Sequence, residues 1–263
     1  MTGLSKHSKD RFYELDYQVM KHAFSIHNRM GNFHDEEVYQ NELLHLLQKD
    51  GIQAQIEVPL IIRFGSFEKT YYLDLVLEDS RIYELKVLPA LQNQCRSQLI
   101  NYQLISELPY GKLINFGGQS VEHEYVTSTL TKSKRKQFIM DDSGWNNLTE
   151  SCRALQTLSR NLFLEWGSRL DPLLYTEALL SLLPETETRR IKVCSGNRKI
   201  GAKCVDLIAP DTAMKITTAK TPSPLRTQFQ KFLNHTDLNT LCWINLGGNK
   251  ITYKTLQRNN PVI

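Results

Sequence analysis

The chain's 263 residues are 41% hydrophobic and 23% charged, a globular composition that excludes wholesale disorder and leaves room for one large or two small domains. Its five cysteines (Cys95, Cys152, Cys194, Cys204, Cys242) are never spaced C-x-x-C, and no apolar run reaches the ~18 residues of a membrane span, so a disulfide framework, a zinc site and a membrane protein are set aside. The net charge of +4 is divided unevenly, with 12 Lys+Arg against 17 Asp+Glu in residues 1–130 and 20 against 11 in residues 131–263.

The N-terminal stretch MTGLSKHSKDRFYELDYQ lacks the apolar core of a secretion signal, and with scattered reduced thiols this places the chain in a cytoplasm. Apolar residues at helical spacing predict a helix over 12–30. Val38, Leu43, Leu44, Leu46 and Leu47 predict a second over 35–49, with Gly51 as its stop. Strand-like runs follow near 54–64, 69–78 and 81–88, then a helix from about 91 to 106. Two closing strands, 111–116 and 121–127, flank the turn signal Gly117-Gly118. The polar, charged stretch from about 129 to 145 reads as a connection, after which helical spacing resumes over 148–166.

Three blocks recur in the same order. MGNFHDEEVYQNELLHLL (30–47) stands against WGSRLDPLLYTEALLSLL (166–183), setting Gly31 on Gly167, Asp35 on Asp171 and Tyr39 on Tyr175. LDLVLEDS (73–80) stands against VDLIAPDT (205–212), and residues 96–126 stand against 226–256. Three collinear blocks argue for a tandem duplication. The expected organisation is an α/β fold of two sandwich units, each a mixed β-sheet flanked by helices: residues 1–130, a linker over 131–145, and residues 146–263.

The chemistry concentrates in LDLVLEDSRIYELKVL, residues 73–88. A hairpin with a loop at Asp79-Ser80-Arg81 pairs Val76 with Glu84 and Asp74 with Lys86. Alternation then puts Asp74, Glu84 and Lys86 on one face and Leu73, Leu75, Leu77, Leu85 and Val87 on the other. Converging carboxylates repel unless a cation lies between them, and hard oxygen ligands suit Mg²⁺ or Mn²⁺. A neighbouring ammonium can orient an attacking water or offset developing phosphate charge. Glu36, near the start of its helix, can reach the same pocket, or simply complement the helix dipole. Gln98 and Tyr102 share one helix face; they can contact phosphate and backbone, or be a satisfied polar residue and core packing.

Gly31…Glu36-Glu37-Val38-Tyr39, Asp74, Glu84-Leu85-Lys86, Gln98…Tyr102 and Ile114-Asn115-Phe116-Gly117 together resemble the GxxExxxY family, a small prokaryotic branch of the PD-(D/E)XK nuclease superfamily, over about residues 20–127. The resemblance implies a restriction-endonuclease-like core with Glu36, Asp74 and Glu84 as Mg²⁺ ligands and Lys86 as the catalytic lysine. The pair Gln98…Tyr102 is similar to the Q-x-x-x-Y motif of RecB-type exonucleases. Phe33 stands where many members carry a second glycine.

In the second copy Pro172 stands against Glu36 and Asp206 against Asp74, and residues 209–219 hold no Glu-x-Lys. A lone carboxylate holds Mg²⁺ poorly, so this copy is expected to be catalytically dead. Arg226 and Gln228 persist opposite Arg96 and Gln98, and Phe232 replaces Tyr102. Basic residues cluster at Lys132, Lys134, Arg135, Lys136, Arg189, Arg190, Lys192, Arg198, Lys199 and Lys203, and such cations give sequence-independent affinity for phosphates. Candidate substrate contacts are Arg96, Gln98, Tyr102, Lys134, Arg135 and Lys136. The expected function is Mg²⁺- or Mn²⁺-dependent hydrolysis of DNA, with RNA left open, by a monomer with an internal pseudo-dimer or by a homodimer. The alternative is a non-catalytic nucleic-acid-binding or protein-interaction module.

Overall fold

Gly31 takes a φ of +73°, a conformation that costs glycine nothing and other residues a Cβ clash. There the first helix, α1 (Lys9–Met30), gives way to α2 (Glu36–Lys49). The Tyr39 hydroxyl donates to the Gly31 carbonyl at 2.8 Å and accepts from the His34 amide at 3.3 Å, so α2 pins the loop that leads into it. The computed structural model describes residues 9–259; residues 1–8, part of the N-terminal stretch read above, lie outside it. Two units divide the chain: residues 1–62 with 68–131, and residues 63–67 with 132–263. Both hold a mixed β-sheet flanked by helices. Among the described residues no helix is long and apolar enough to cross a membrane.

The first unit's sheet has the order β1 (Ala54–Phe64), β2 (Phe67–Leu77), β3 (Arg81–Lys86), β4 (Tyr110–Asn115), β5 (Glu122–Thr127). Strands β2–β3 and β4–β5 are antiparallel; β3–β4 are parallel, as a crossover through α3 (Asn93–Ser106) requires. Period-2 alternation divides the apolar side chains between two layers. Leu75, Leu77, Tyr83, Leu85 and Phe116 pack with Val19, Ile26, Leu43 and Leu47 of α1 and α2. Val76, Ile82 and Leu113 pack with Leu99 and Tyr102 of α3.

The β2–β3 register departs from expectation. Leu75 faces Tyr83, Val76 faces Ile82 and Leu77 faces Arg81, so the loop is Glu78-Asp79-Ser80 and the pairing slips by two residues. Glu78 and Asp79 both take left-handed backbone, at φ +47° and +53°, which closes the turn early with no glycine to announce it. A slip of two leaves every side chain on its original face, so Asp74, Glu84 and Lys86 still converge. Leu73 is the exception: it joins the layer under α3 instead of the one shared by Leu75, Leu77 and Leu85. It lies beyond the last β2–β3 ladder pair, Leu75 with Tyr83, where the Asp74 carboxylate accepts from the Leu85 amide at 2.8 Å.

The second unit runs α4 (Lys132–Arg135), β6 (Ile139–Gly144), α5 (Glu150–Trp166), α6 (Pro172–Leu182), β7 (Glu187–Ser195), β8 (Arg198–Ala209), β9 (Thr212–Thr217), α7 (Pro222–Asn234), β10 (Thr240–Gly247) and β11 (Lys250–Gln257). Its sheet order is β6-β11-β10-β9-β8-β7, in which the parallel pair β9–β10 again brackets a helix. From α5 onward the element order equals that of the first unit. The stretch 131–145, read as a connection, thus holds a helix and an edge strand parallel to β11. An edge strand with Ile139 66% exposed leaves little apolar alternation to detect.

Candidate active site

Strand β3 carries Glu84 and Lys86 outward from the α1–α2 layer, β2 brings Asp74 alongside, and the first residue of α2 is Glu36. Their charged ends meet at Lys86. The ammonium lies 2.9 Å from Glu84, 3.5 Å from Asp74 and 3.7 Å from Glu36. The side chains form a gradient of access, from Glu84 at 0% exposed through Asp74 at 14% to Glu36 at 41%.

Burial sets the electrostatics. It pushes the Glu84 carboxyl up to about 8, with the neighbouring Asp74 charge adding to it and Lys86 working against it. Burial also raises Asp74, although Lys86 and the Leu85 N–H oppose the rise. Glu36 is raised by burial as well, again opposed by Lys86. For Lys86 burial disfavours the charge, but Glu84 and Asp74 outweigh it and hold the ammonium above its ordinary range. Three carboxyl groups against one ammonium leave the pocket with more acid than base.

Among the described residues no three His, Cys, Asp or Glu are drawn together as a preformed metal cluster; the carboxylates are drawn to Lys86 instead. The donor set still fits a hard divalent cation. Oε2 of Glu84 is buried with no hydrogen-bond partner, an acceptor already desolvated and aimed at nothing, and all three groups supply carboxylate oxygens.

Two further positions support this site. Gln40, one turn after Glu36 and buried, donates to the Asp74 carbonyl at 2.7 Å and to Glu57 at 2.8 Å, tying α2 to the strand that bears Asp74. Its only sequence signal is the i+4 spacing from Glu36. Asn115 accepts from the Leu88 amide and donates to the Leu88 carbonyl, both at 2.9 Å. It faces Lys86 across β3–β4, so it anchors the chain just beyond the lysine. The sequence shows it as part of a buried strand and within the Ile114-Asn115-Phe116-Gly117 stretch of the family resemblance.

The expected substrate contacts separate into groups. Gln98 donates to the Tyr102 hydroxyl at 2.8 Å. Burial holds Tyr102 up at about 12, with Glu84 and Asp74 contributing, which sets this pair beside the carboxylates. Arg96 is exposed and paired with Glu124. Lys134 and Lys136 are exposed. Arg135 is corrected: it is 3% exposed, and its guanidinium donates to the Trp166 carbonyl at 2.7 Å, closing the end of α5 in a place too buried to meet a substrate.

The second unit preserves the supports and not the site. The Tyr175 hydroxyl donates to the Gly167 carbonyl at 2.6 Å and accepts from the Leu170 amide at 3.2 Å, as Tyr39 does for Gly31 and His34. Asn245 bonds the amide and carbonyl of Ala219 at 2.9 and 3.0 Å, as Asn115 does for Leu88. These two asparagines fix the correspondence: Asn115 faces Lys86 and Asn245 faces Thr217, so Thr217 stands for Lys86 and Lys215 for Glu84. Pro172 begins α6 where Glu36 begins α2. Asp206 lies one ladder position from its expected place, opposite Met214 as Leu75 is opposite Tyr83, and accepts from the Thr188 hydroxyl at 2.8 Å.

Residues 13–127 match the family model of the PD-(D/E)XK nuclease superfamily. The match takes in Glu36, Asp74, Glu84, Lys86, Gln98 and Tyr102, and ends with β5. The comparisons with curated proteins and with solved structures found no match.

Proposed function

We propose that the first unit is a metal-dependent nuclease that hydrolyses DNA phosphodiester bonds, and that it belongs to the GxxExxxY branch of the superfamily. The observation that carries this reading is the convergence of Glu36, Asp74 and Glu84 on Lys86 within 3.7 Å. Asp74 and Glu84, with Glu36 at the open side, would hold Mg²⁺ or Mn²⁺, and the cation would supply charge stabilisation at the scissile phosphate and activation of water. Lys86, kept protonated by its acidic neighbours, orients the attacking water and offsets charge on the phosphate. Gln98 and Tyr102 position the strand beside it. The cleavage test uses linear and circular DNA, and RNA, with Mg²⁺ or Mn²⁺, against wild type, Lys86→Ala and Asp74→Ala. Cleavage lost in both variants supports the reading; equal activity in all three rejects the site.

The second unit is read as a duplicated copy that lost catalysis and serves nucleic-acid binding. The shared element order, the Gly31/Tyr39 and Gly167/Tyr175 pairs, and the two asparagine clamps support descent from one unit. Proline, lysine and threonine in place of Glu36, Glu84 and Lys86 leave no ligand set. A second reading, a non-catalytic binding module in both units, is favoured by the absence of a preformed carboxylate cluster among the described residues. Failure of wild type to cleave any nucleic acid with either metal would establish it.

A further inference from the structure

The second unit has a cleft of about 540 Å³ between the start of α7 and the β6–β11 edge of its sheet, and Lys220, Arg226, Lys250 and Lys254 line it. Only Asp141 among its lining residues is acidic, and it already pairs with Lys250 at 2.7 Å. Among the described residues no acid pairs with Lys220, Arg226 or Lys254. The first unit shows what changed. There Arg96 pairs with Glu124, and Glu124 faces Leu113 across β4–β5 as Lys254 faces Trp243 across β10–β11. Leu113 and Trp243 are equivalent through the asparagine register, and Arg226 stands where Arg96 does. The acid that neutralised the arginine has become a half-buried lysine.

Like charges gathered in a concave site destabilise the fold unless an anion lies between them. Pro222 and Pro224, at the start of α7, have no N–H, so helix-end amides contribute little and the side-chain cations set the recognition. We propose that this cleft binds the phosphates of a nucleic-acid strand through Arg226 and Lys254, with Lys220 at its rim. The identity of the anion rests on the nuclease reading above; the charge reversal stands without it. None of the basic residues singled out in residues 132–203 belongs to the cleft.

The experiment uses the full chain in EDTA, where metal-dependent cleavage cannot proceed, and follows fluorescence anisotropy of a labelled single strand of about 20 nucleotides. Salt is varied from about 50 to 300 mM. Lys254→Glu restores the acid of the first unit. It is expected to weaken binding by about tenfold or more and to flatten the log–log salt slope by about 1.4, two contacts at ~0.7 each. Its thermal midpoint should be unchanged or higher. Lys231→Glu makes the same charge change on the last turn of α7, outside the cleft, and should keep affinity within about twofold. Equal losses in the two variants, absence of binding by wild type, or full displacement by inorganic phosphate at constant ionic strength would each overturn the proposal. If Lys254→Glu does not fold, Arg226→Glu, at an exposed position, replaces it with the same expectation. Binding without cleavage in Mg²⁺ would reject the nuclease reading alone; cleavage with undiminished Lys254→Glu binding would reject the cleft alone.

Discussion

Gly117→Ala is the substitution whose cost the structure specifies best. A Cβ at Gly117 would stand 2.4 Å from the Leu88 carbonyl oxygen, 2.5 Å from its nitrogen and 2.8 Å from its carbonyl carbon. All three are backbone atoms, so no rotamer change relieves them. Leu88 cannot retreat either, because Asn115 holds its amide and carbonyl, each at 2.9 Å. The strain therefore passes into the segment joining Lys86 to α3. Overpacking of this kind costs ~1–3 kcal/mol where side chains can adjust, and more where they cannot, so about 3 kcal/mol is expected here. Gly31→Ala is the control: its φ of +73° penalises a side chain by roughly 1–2 kcal/mol, but nothing lies within 4 Å of the added Cβ. Denaturant unfolding of both variants, followed by the cleavage assay, separates the two effects. Gly117→Ala should lose more stability and disturb the site through Lys86. A cost no larger than that of Gly31→Ala would refute the contact geometry on which the Asn115 clamp rests.

The buried Glu84 makes the metal-free fold sensitive to pH. Its folded value, about 8, lies above the unfolded 4.5, so the stability it contributes is fully present below pH 4.5 and lost as pH rises through 8. In EDTA, Glu84→Gln should therefore gain on wild type as pH rises from 6 to 9 by a few kcal/mol, at ~1.4 kcal/mol per unit up to about pH 8, on top of a pH-independent cost of ~1 kcal/mol for an unpartnered amide; a thermal-midpoint difference that does not widen with pH would contradict this. Tyr39→Phe removes a hydroxyl bonded on both sides, and is expected to cost ~1–2 kcal/mol and to lower cleavage by loosening the start of α2. Tyr175→Phe should cost a similar amount and leave cleavage intact, read by denaturation and a plasmid-nicking rate. Asp16→Ala strands the buried Lys112 ammonium, which donates to Asp16 at 2.7 Å, and should destabilise by about 3–5 kcal/mol in chemical denaturation; a loss below ~1 kcal/mol would mean that water reaches Lys112.

How much of this was legible depended on where the signal was stored. Helices α1, α2 and α3 and strands β1 to β5 announce themselves because each buries one face or one stripe, and Asp74, Glu84 and Lys86 survive a register error because a slip of two preserves the face. The error itself came from Glu78 and Asp79, which hold a left-handed turn that sequence patterns assign to glycine or asparagine. Strand β6 was missed because an edge strand of mostly polar residues resembles a linker. Arg135 read as a surface cation because a buried arginine whose partner is the Trp166 carbonyl leaves no trace in composition. The cleft was invisible for another reason: Lys220, Arg226, Lys250 and Lys254 come from separate elements, and the collinear blocks set Lys254 against Glu124 without showing that it lines one cleft with Arg226.

The two units separate what this architecture needs from what a site needs. The supports recur with the same atoms: a tyrosine hydroxyl on a left-handed glycine carbonyl, and an asparagine amide on the backbone after the inner strand. Neither bonds a carboxylate of the first site, and both recur in the second unit, where Pro172, Lys215 and Thr217 stand at the positions of Glu36, Glu84 and Lys86. The charged positions behave in the opposite way. Glu84 gives way to Lys215, Lys86 to Thr217 and Glu124 to Lys254, two of them reversals of sign on one scaffold. Lys254 and Arg226 line one cleft with no acid paired to either among the described residues, and the Lys254 ammonium lies 5.7 Å from the centre of the Trp243 ring. If the cleft binds phosphate as proposed, Lys254 and Arg226 are functional residues and the second unit is more than a relic of the first. The acidic and basic halves of the chain are then two electrostatic solutions built on one set of backbone supports, one suited to a cation and the other to phosphate.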